Sequence, residues 1–92
     1  MKAGARFIVK GTVQGVFFRQ FVKEGADEFG LRGFIRNLES GDVEIVVEGE
    51  NDAIERLRNR VRAGPKHAQI RDVVVEERKW SGDFGEFKIL RF

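Results

Sequence analysis

A chain of 92 residues with a net charge of +2 and no cysteine makes one domain (residues 1–92), with disulfides and thiolate metal sites excluded. The charge is too small to argue for a nucleic-acid partner, and no apolar run reaches membrane length or forms a leader after Met1-Lys2-Ala3-Gly4. The expectation is a cytoplasmic, soluble chain; abundant charges, a single Met and few amide side chains also fit a thermophilic source.

Ala5, Phe7 and Val9 alternate with Arg6, Ile8 and Lys10, the period of a first strand that ends at Gly11. A glycine-punctuated stretch follows, Gly11-Thr12-Val13-Gln14-Gly15-Val16-Phe17. Phe18, Phe21, Val22, Gly25, Ala26 and Phe29 then recur at helical spacing, an amphipathic stripe stopped by Gly30. Gly25 inside that helix costs about 1 kcal/mol against Ala, which close packing on a sheet would explain. Residues 31–38 read as a second strand and Ser40-Gly41-Asp42 as a hairpin turn. Val43, Ile45 and Val47 alternate with Glu44, Val46 and Glu48 in a third strand ending at Gly49. A second helix is expected to start on a capping box, Asp52 with Glu55, and to end at Gly64-Pro65. Ile54, Leu57 and Val61 form its inner face, and Arg56, Arg58, Arg60 and Arg62 a solvated outer one. Residues 70–77 give a fourth strand in which Ile70 is out of phase with Val73 and Val75, the mark of a bulge or bend. A Ser81-Gly82-Asp83 turn leads to a short last strand at 87–92, and Trp80 beside that turn reads as a packing anchor.

This order, β-α-β-β-α-β plus a short C-terminal strand, predicts an α+β, ferredoxin-like split β-α-β fold with two helices packed on one face of an antiparallel sheet. Right-handed crossovers run the joined strands parallel with a third between them. The ends of strands one and two then share one sheet edge, about 10 Å apart, so that one small ligand reaches both the 11–19 loop and Asn37.

Glycines before a helix start offer free amides and the positive end of the dipole to an anion, with Gly15 free to take left-handed backbone; a plain turn has the same composition. Arg19 sits in the first helical turn, the wrong end of the dipole for a cation, unless an anion lies between its guanidinium and the amides. A surface arginine paired with Glu24 or Glu28 is the alternative. Asn37 near a strand end starts turns in many proteins, but its amide both donates and accepts, as orienting a water requires. The single His67 has no ligand partners at metal spacing and reads as a surface or loop-packing residue.

The run from Gly11 to Arg19 resembles the acylphosphatase signature G-x-V-Q-G-V-x-F/Y-R at every fixed position, and Gly33-Phe34-Ile35-Arg36-Asn37 is similar to that family's second signature. Gly41-x-Val43-Glu44 and Glu48-Gly49 fit its third strand, and the likeness runs from about Ala5 to Phe92. The resemblance implies hydrolysis of carboxyl–phosphate anhydrides without metal or cofactor. Backbone amides of Gln14, Gly15, Val16, Phe17, Phe18 and Arg19 would cradle the phosphoryl oxygens. Arg19 would anchor phosphate and Asn37 would place the attacking water. Leu38 departs from the small polar residue common at its position, and Lys66-His67 from the commoner Pro-x.

A small acyl phosphate is thus the expected partner of a monomer, with no nucleic acid and no membrane. The rival is a non-catalytic small-anion or RNA-binding module on the same fold. Arg32-Gly33-Phe34 begins like an RNA-recognition signature, but Ile35 and Arg36 replace its small residue and its stacking aromatic.

Overall fold

The computed structural model describes residues 1–13 and 15–91, and at Val16 the backbone alone. The elements are β1 (Lys2–Thr12), α1 (Val16–Glu28), β2 (Arg32–Asn37), β3 (Val43–Glu50), α2 (Asn51–Ala63), β4 (Gln69–Arg78) and β5 (Phe87–Ile89). They form one five-stranded sheet in the order β4-β1-β3-β2-β5. The ferredoxin-like plan therefore holds, with the strands joined through each helix separated by one strand. The sheet is mixed rather than purely antiparallel, because β5 pairs parallel with β2.

Strand alternation divides the sheet faces. Phe7 and Val9 of β1, Ile35 of β2, and Val43, Ile45 and Val47 of β3 turn to the helices and are sealed against Val22, Ala26, Leu57 and Val61. The opposite face carries Arg6, Arg36 and Glu44, whose carboxylate accepts from both guanidinium groups at 2.5 Å. Burial alone would raise the Glu44 carboxyl, but those hydrogen bonds and the two positive charges hold it below the ordinary range. Glu48 on the same face is buried too, and the Ser81 hydroxyl with the Ser81 and Gly82 N–H groups outweighs that burial.

Local rules explain most element boundaries. α1 ends in a Schellman motif: Leu31 N–H donates to the Ala26 carbonyl at 2.8 Å, Gly30 N–H to Asp27, and Gly30 takes φ 70°. The bulge expected near Ile70 is present, since the β1–β4 register passes from Lys10↔Asp72 to Gly11↔Ile70 and skips Arg71. Gly11 makes it possible: with φ 139°, a Cβ there would stand 2.0 Å from the Gln69 carbonyl oxygen.

Four expectations need correction. α2 begins at Asn51 with Glu50 as N-cap and no side-chain cap, not on an Asp52–Glu55 box. β3 runs straight into the helix, and the Asn51 N–H donates to the Met1 carbonyl at 2.9 Å, so a distant backbone group takes the first free amide. Gly25 faces α2 and not the sheet: a Cβ would lie 3.0 Å from Arg60 Cδ and 3.2 Å from Leu57 Cδ1. Arg60 is consequently no mere surface charge, for it pairs with Glu28 at 3.0 Å across the helices and lies 4.6 Å over the Phe29 ring. Trp80 is a partial anchor, 46% exposed, lying against Gly82 and under the Lys2 ammonium at 4.9 Å.

Candidate active site

The first signature divides between scaffold and cleft. Val13, 2% exposed, plugs the loop leaving β1 into the core, and Phe18, 4% exposed, does the same for the first turn of α1. With both ends pinned, α1 starts at Val16 on an extended Gly15. Gly15, free to take left-handed backbone, instead stands extended at φ 160° and ψ 160° as the N-cap of α1. A Cβ at Gly15 would meet nothing within 4 Å. Any grip on an anion therefore comes from a helix start, not from an alternating nest in the described backbone.

That start is bare. α1 has no side-chain cap hydrogen bond and no acidic residue in its first turn. Its first amides, at Val16, Phe17 and Phe18, have no intrahelical acceptor by geometry. Arg19 departs from expectation in one respect: its own N–H already donates to the Gly15 carbonyl at 3.3 Å. Gln14, expected to add another amide, lies outside the described residues.

Among the described residues the Arg19 guanidinium makes one hydrogen bond, Nε to the Gly15 carbonyl oxygen at 3.4 Å, and pairs with no carboxylate. Neither Glu24 nor Glu28, the alternative partners, pairs with Arg19, and Glu28 instead accepts from Arg60. That contact leaves the other guanidinium N–H groups without a described partner, and such a fork is what a bidentate oxyanion contact uses.

The register brings Asn37 to the same edge. Asn37 pairs with Val43 and Val43 with Val9, so the three stand in one row across β2, β3 and β1. Arg19 and Asn37 line a single open cleft of about 350 Å³ together with Leu90 and Arg91. The Asn37 side-chain carbonyl is buried, yet it accepts from no described residue. An orphaned amide acceptor costs about 1–3 kcal/mol in a folded interior, so packing alone does not account for an Asn here.

Sequence reasoning missed Leu90 and Arg91 in this cleft. Residues 87–92 read as a strand, but nothing in their pattern assigns that strand to the free edge of β2. Phe92 lies outside the described residues. His67, by contrast, is exposed and lines a separate apolar groove with Phe17, Phe18 and Pro65. Among the described residues, no three His, Asp or Glu side chains gather as a metal site, and no helix is long and apolar enough to cross a membrane.

Fold and cleft together define a ferredoxin-like α+β protein in which a guanidinium from the first turn of α1 and a strand-end amide line one opening. The acylphosphatase family model matches residues 5–89. An acylphosphatase of Aeropyrum pernix is 46% identical over 86 residues, which are 92% of this chain and 85% of that one. One from Dehalococcoides mccartyi (strain 195) is 43% identical over 83 residues, 89% of this chain and 91% of the relative. The crystal structure of acylphosphatase from Bacillus subtilis matches with a TM-score of 0.91 and 35% identity, covering 99% of this chain and 100% of that chain. The chain belongs to the acylphosphatase family.

Proposed function

We propose that this chain hydrolyses acyl phosphates at the cleft between Arg19 and Asn37, giving a carboxylate and inorganic phosphate. The activity follows from the family, and the assignment of roles rests on the cleft's geometry. Arg19 and the first amides of α1 hold the phosphoryl oxygens, while the Asn37 amide orients the attacking water. The oxygen of that water bonds to phosphorus as the bond to the acyl oxygen breaks. The bond's electron pair leaves on the carboxylate, and the water's proton passes to a phosphoryl oxygen.

Such a reaction needs little acid–base equipment, because a carboxylate leaves without prior protonation. The loose phosphoryl transition state places the demand on positioning and on charge at three equatorial oxygens. A preorganised guanidinium and fixed N–H dipoles supply that stabilisation without reorganising during the reaction. The observation that carries the reading is the pairing in one cleft of an arginine without a carboxylate partner and an asparagine whose acceptor is unused.

The RNA-binding alternative finds no support. Phe34, the aromatic of its signature-like stretch, is half-buried and packs against Phe84 with ring centroids 6.0 Å apart. That contact already engages one side of the ring, and Ile35 and Arg36 supply no second aromatic for a base to stack on.

The test is hydrolysis of benzoyl phosphate in the presence of a chelator, by wild type and by Arg19→Gln. The reading requires turnover by the wild type and loss of both turnover and phosphate inhibition in the variant. An active Arg19→Gln protein that phosphate still inhibits would place the chemistry elsewhere. Monomeric state, cytoplasmic location and a thermophilic source are expectations that gel filtration, fractionation and thermal unfolding test directly.

A further inference from the structure

The first turn of α1 separates the cleft from a second hollow. Successive helical residues lie about 100° apart, so Phe17 and Arg19 leave the turn on nearly opposite sides. Arg19 lines the cleft with Asn37, while Gly15, Phe17 and Phe18 line an apolar groove of about 420 Å³ together with Val13, Pro65 and Ala68. The topology puts the two hollows on either side of the helix start. Asn37 ends β2, two strands from β1 on one side. Residues 65–68 lead into β4, whose Gln69 pairs with Thr12 of β1 on the other.

Core packing does not explain Phe17. Val13 and Phe18 beside it are sealed, whereas Phe17 is 86% exposed. The signature G-x-V-Q-G-V-x-F/Y-R leaves its position open, and Lys66-His67 across the groove is where the chain departs from the commoner Pro-x. The groove nevertheless adjoins the phosphate site, because Phe17 and Phe18 supply both its wall and two of the first free amides of α1.

In-line displacement assigns the two hollows different parts of the substrate. The attacking and leaving oxygens stand on opposite sides of phosphorus. With the water at Asn37 and the phosphoryl group at the first turn of α1, the leaving carboxyl points away from Asn37, toward Phe17 and the groove beyond it.

We propose that this groove is the acyl subsite, that its occupant is an aromatic acyl group, and that Phe17 is a specificity residue that selects it by ring contact. The chain thereby favours aroyl over small alkanoyl phosphates. This rests on the roles given above to the α1 start and to Asn37, and the experiment separates the two.

Phenacylphosphonate and acetonylphosphonate carry CH₂ in place of the anhydride oxygen and are not hydrolysed. In ¹⁵N-labelled protein both should shift the amides of residues 15–18, and the phenyl ring alone should add shifts at Val13, His67 and Ala68. Ring-dependent shifts at Leu90 and Arg91 instead overturn the proposal and leave the phosphate site standing. Phosphonates that leave residues 15–18 unshifted overturn the phosphate reading and this proposal with it. In kinetics, Phe17→Ala should lower the ratio of kcat/KM for benzoyl over acetyl phosphate about three- to tenfold, the range of one aromatic contact, mainly through KM. The two substrates' intrinsic reactivities cancel in that comparison with wild type. Phe17→Leu should recover part of the ratio. An unchanged ratio in Phe17→Ala, or equal losses on both substrates, overturns the proposal. Groove amides that move with protein concentration rather than with phosphonate would give the groove to a second copy of the chain, and overturn it too.

Discussion

Replacing Asn37 with Ala separates a catalytic role from a structural one. The Asn37 side chain makes no hydrogen bond to any described residue, and its buried carbonyl is unpartnered. Truncation therefore breaks no internal hydrogen bond and removes an orphaned acceptor, so stability should hold or rise, by up to about 1–3 kcal/mol. Phosphate is assigned to Arg19 and the helix start, so inhibition by inorganic phosphate should change by no more than about threefold, roughly 0.65 kcal/mol. Turnover should respond far more strongly. Losing one preorganised dipole at a reacting atom lowers kcat by about 10²–10³, or 2.7–4 kcal/mol. The measurements are initial rates on benzoyl phosphate, the phosphate inhibition constant and the urea midpoint, all on one preparation. Full turnover in Asn37→Ala would refute the water-orienting role. A phosphate affinity falling in step with kcat would refute the division of labour between Asn37 and Arg19.

Other outcomes follow from the scaffold. Gly33→Ala should destabilise by about 2 kcal/mol or more, since its φ is 145° and a Cβ would stand 1.9 Å from the Val46 carbonyl oxygen, as denaturant midpoints will show. Gly15→Ala should shift the midpoint by no more than about 0.5 kcal/mol, because its backbone is extended and its Cβ direction is open. Glu44→Gln leaves Arg6 and Arg36 without their shared carboxylate. Both arginines reach solvent, so the loss at neutral pH should be about 1–3 kcal/mol, below that of a fully buried pair. The folded-state pKa of Glu44 is depressed, so its contribution is complete above the unfolded value near 4.3 and is lost as pH falls through the lower folded one. Urea midpoints from pH 7 to pH 2 should therefore fall less steeply on the acid side for Glu44→Gln than for wild type. Glu48, depressed in the same direction, should preserve some of that slope in the variant.

Most of the fold was legible because alternation and helical spacing report burial directly. Phe7 and Val9, the Phe18–Val22–Ala26 stripe, and Ile54–Leu57–Val61 all face the core as their periods require. The out-of-phase Ile70 pointed to the β1–β4 bulge. The failures share one cause: a group from elsewhere in the chain supplied what a local rule expects from a neighbour. The Met1 carbonyl takes the Asn51 N–H, and α2 begins there with Glu50 as N-cap, ahead of Asp52. Gly25 makes room for Arg60 and Leu57 of the other helix, a packing that no stripe within α1 records. At the cleft, the meeting of Arg19 and Asn37 was legible because the β1-α1-β2 crossover brings those strand ends to one edge. Arg91 was not, because a three-residue strand carries no mark of the edge it joins or of its direction.

The central claim, that the start of α1 and the Arg19 guanidinium form the phosphate site, is tested most directly by titrating inorganic phosphate into ¹⁵N-labelled protein. Saturable shifts should centre on the backbone amides of Gly15, Val16, Phe17 and Phe18 and on the Asn37 side-chain amide, and should disappear in Arg19→Gln. Shifts centred instead on the opposite edge, where Lys2, Arg32 and Trp80 line another cleft, would contradict the account. So would binding that survives Arg19→Gln unchanged.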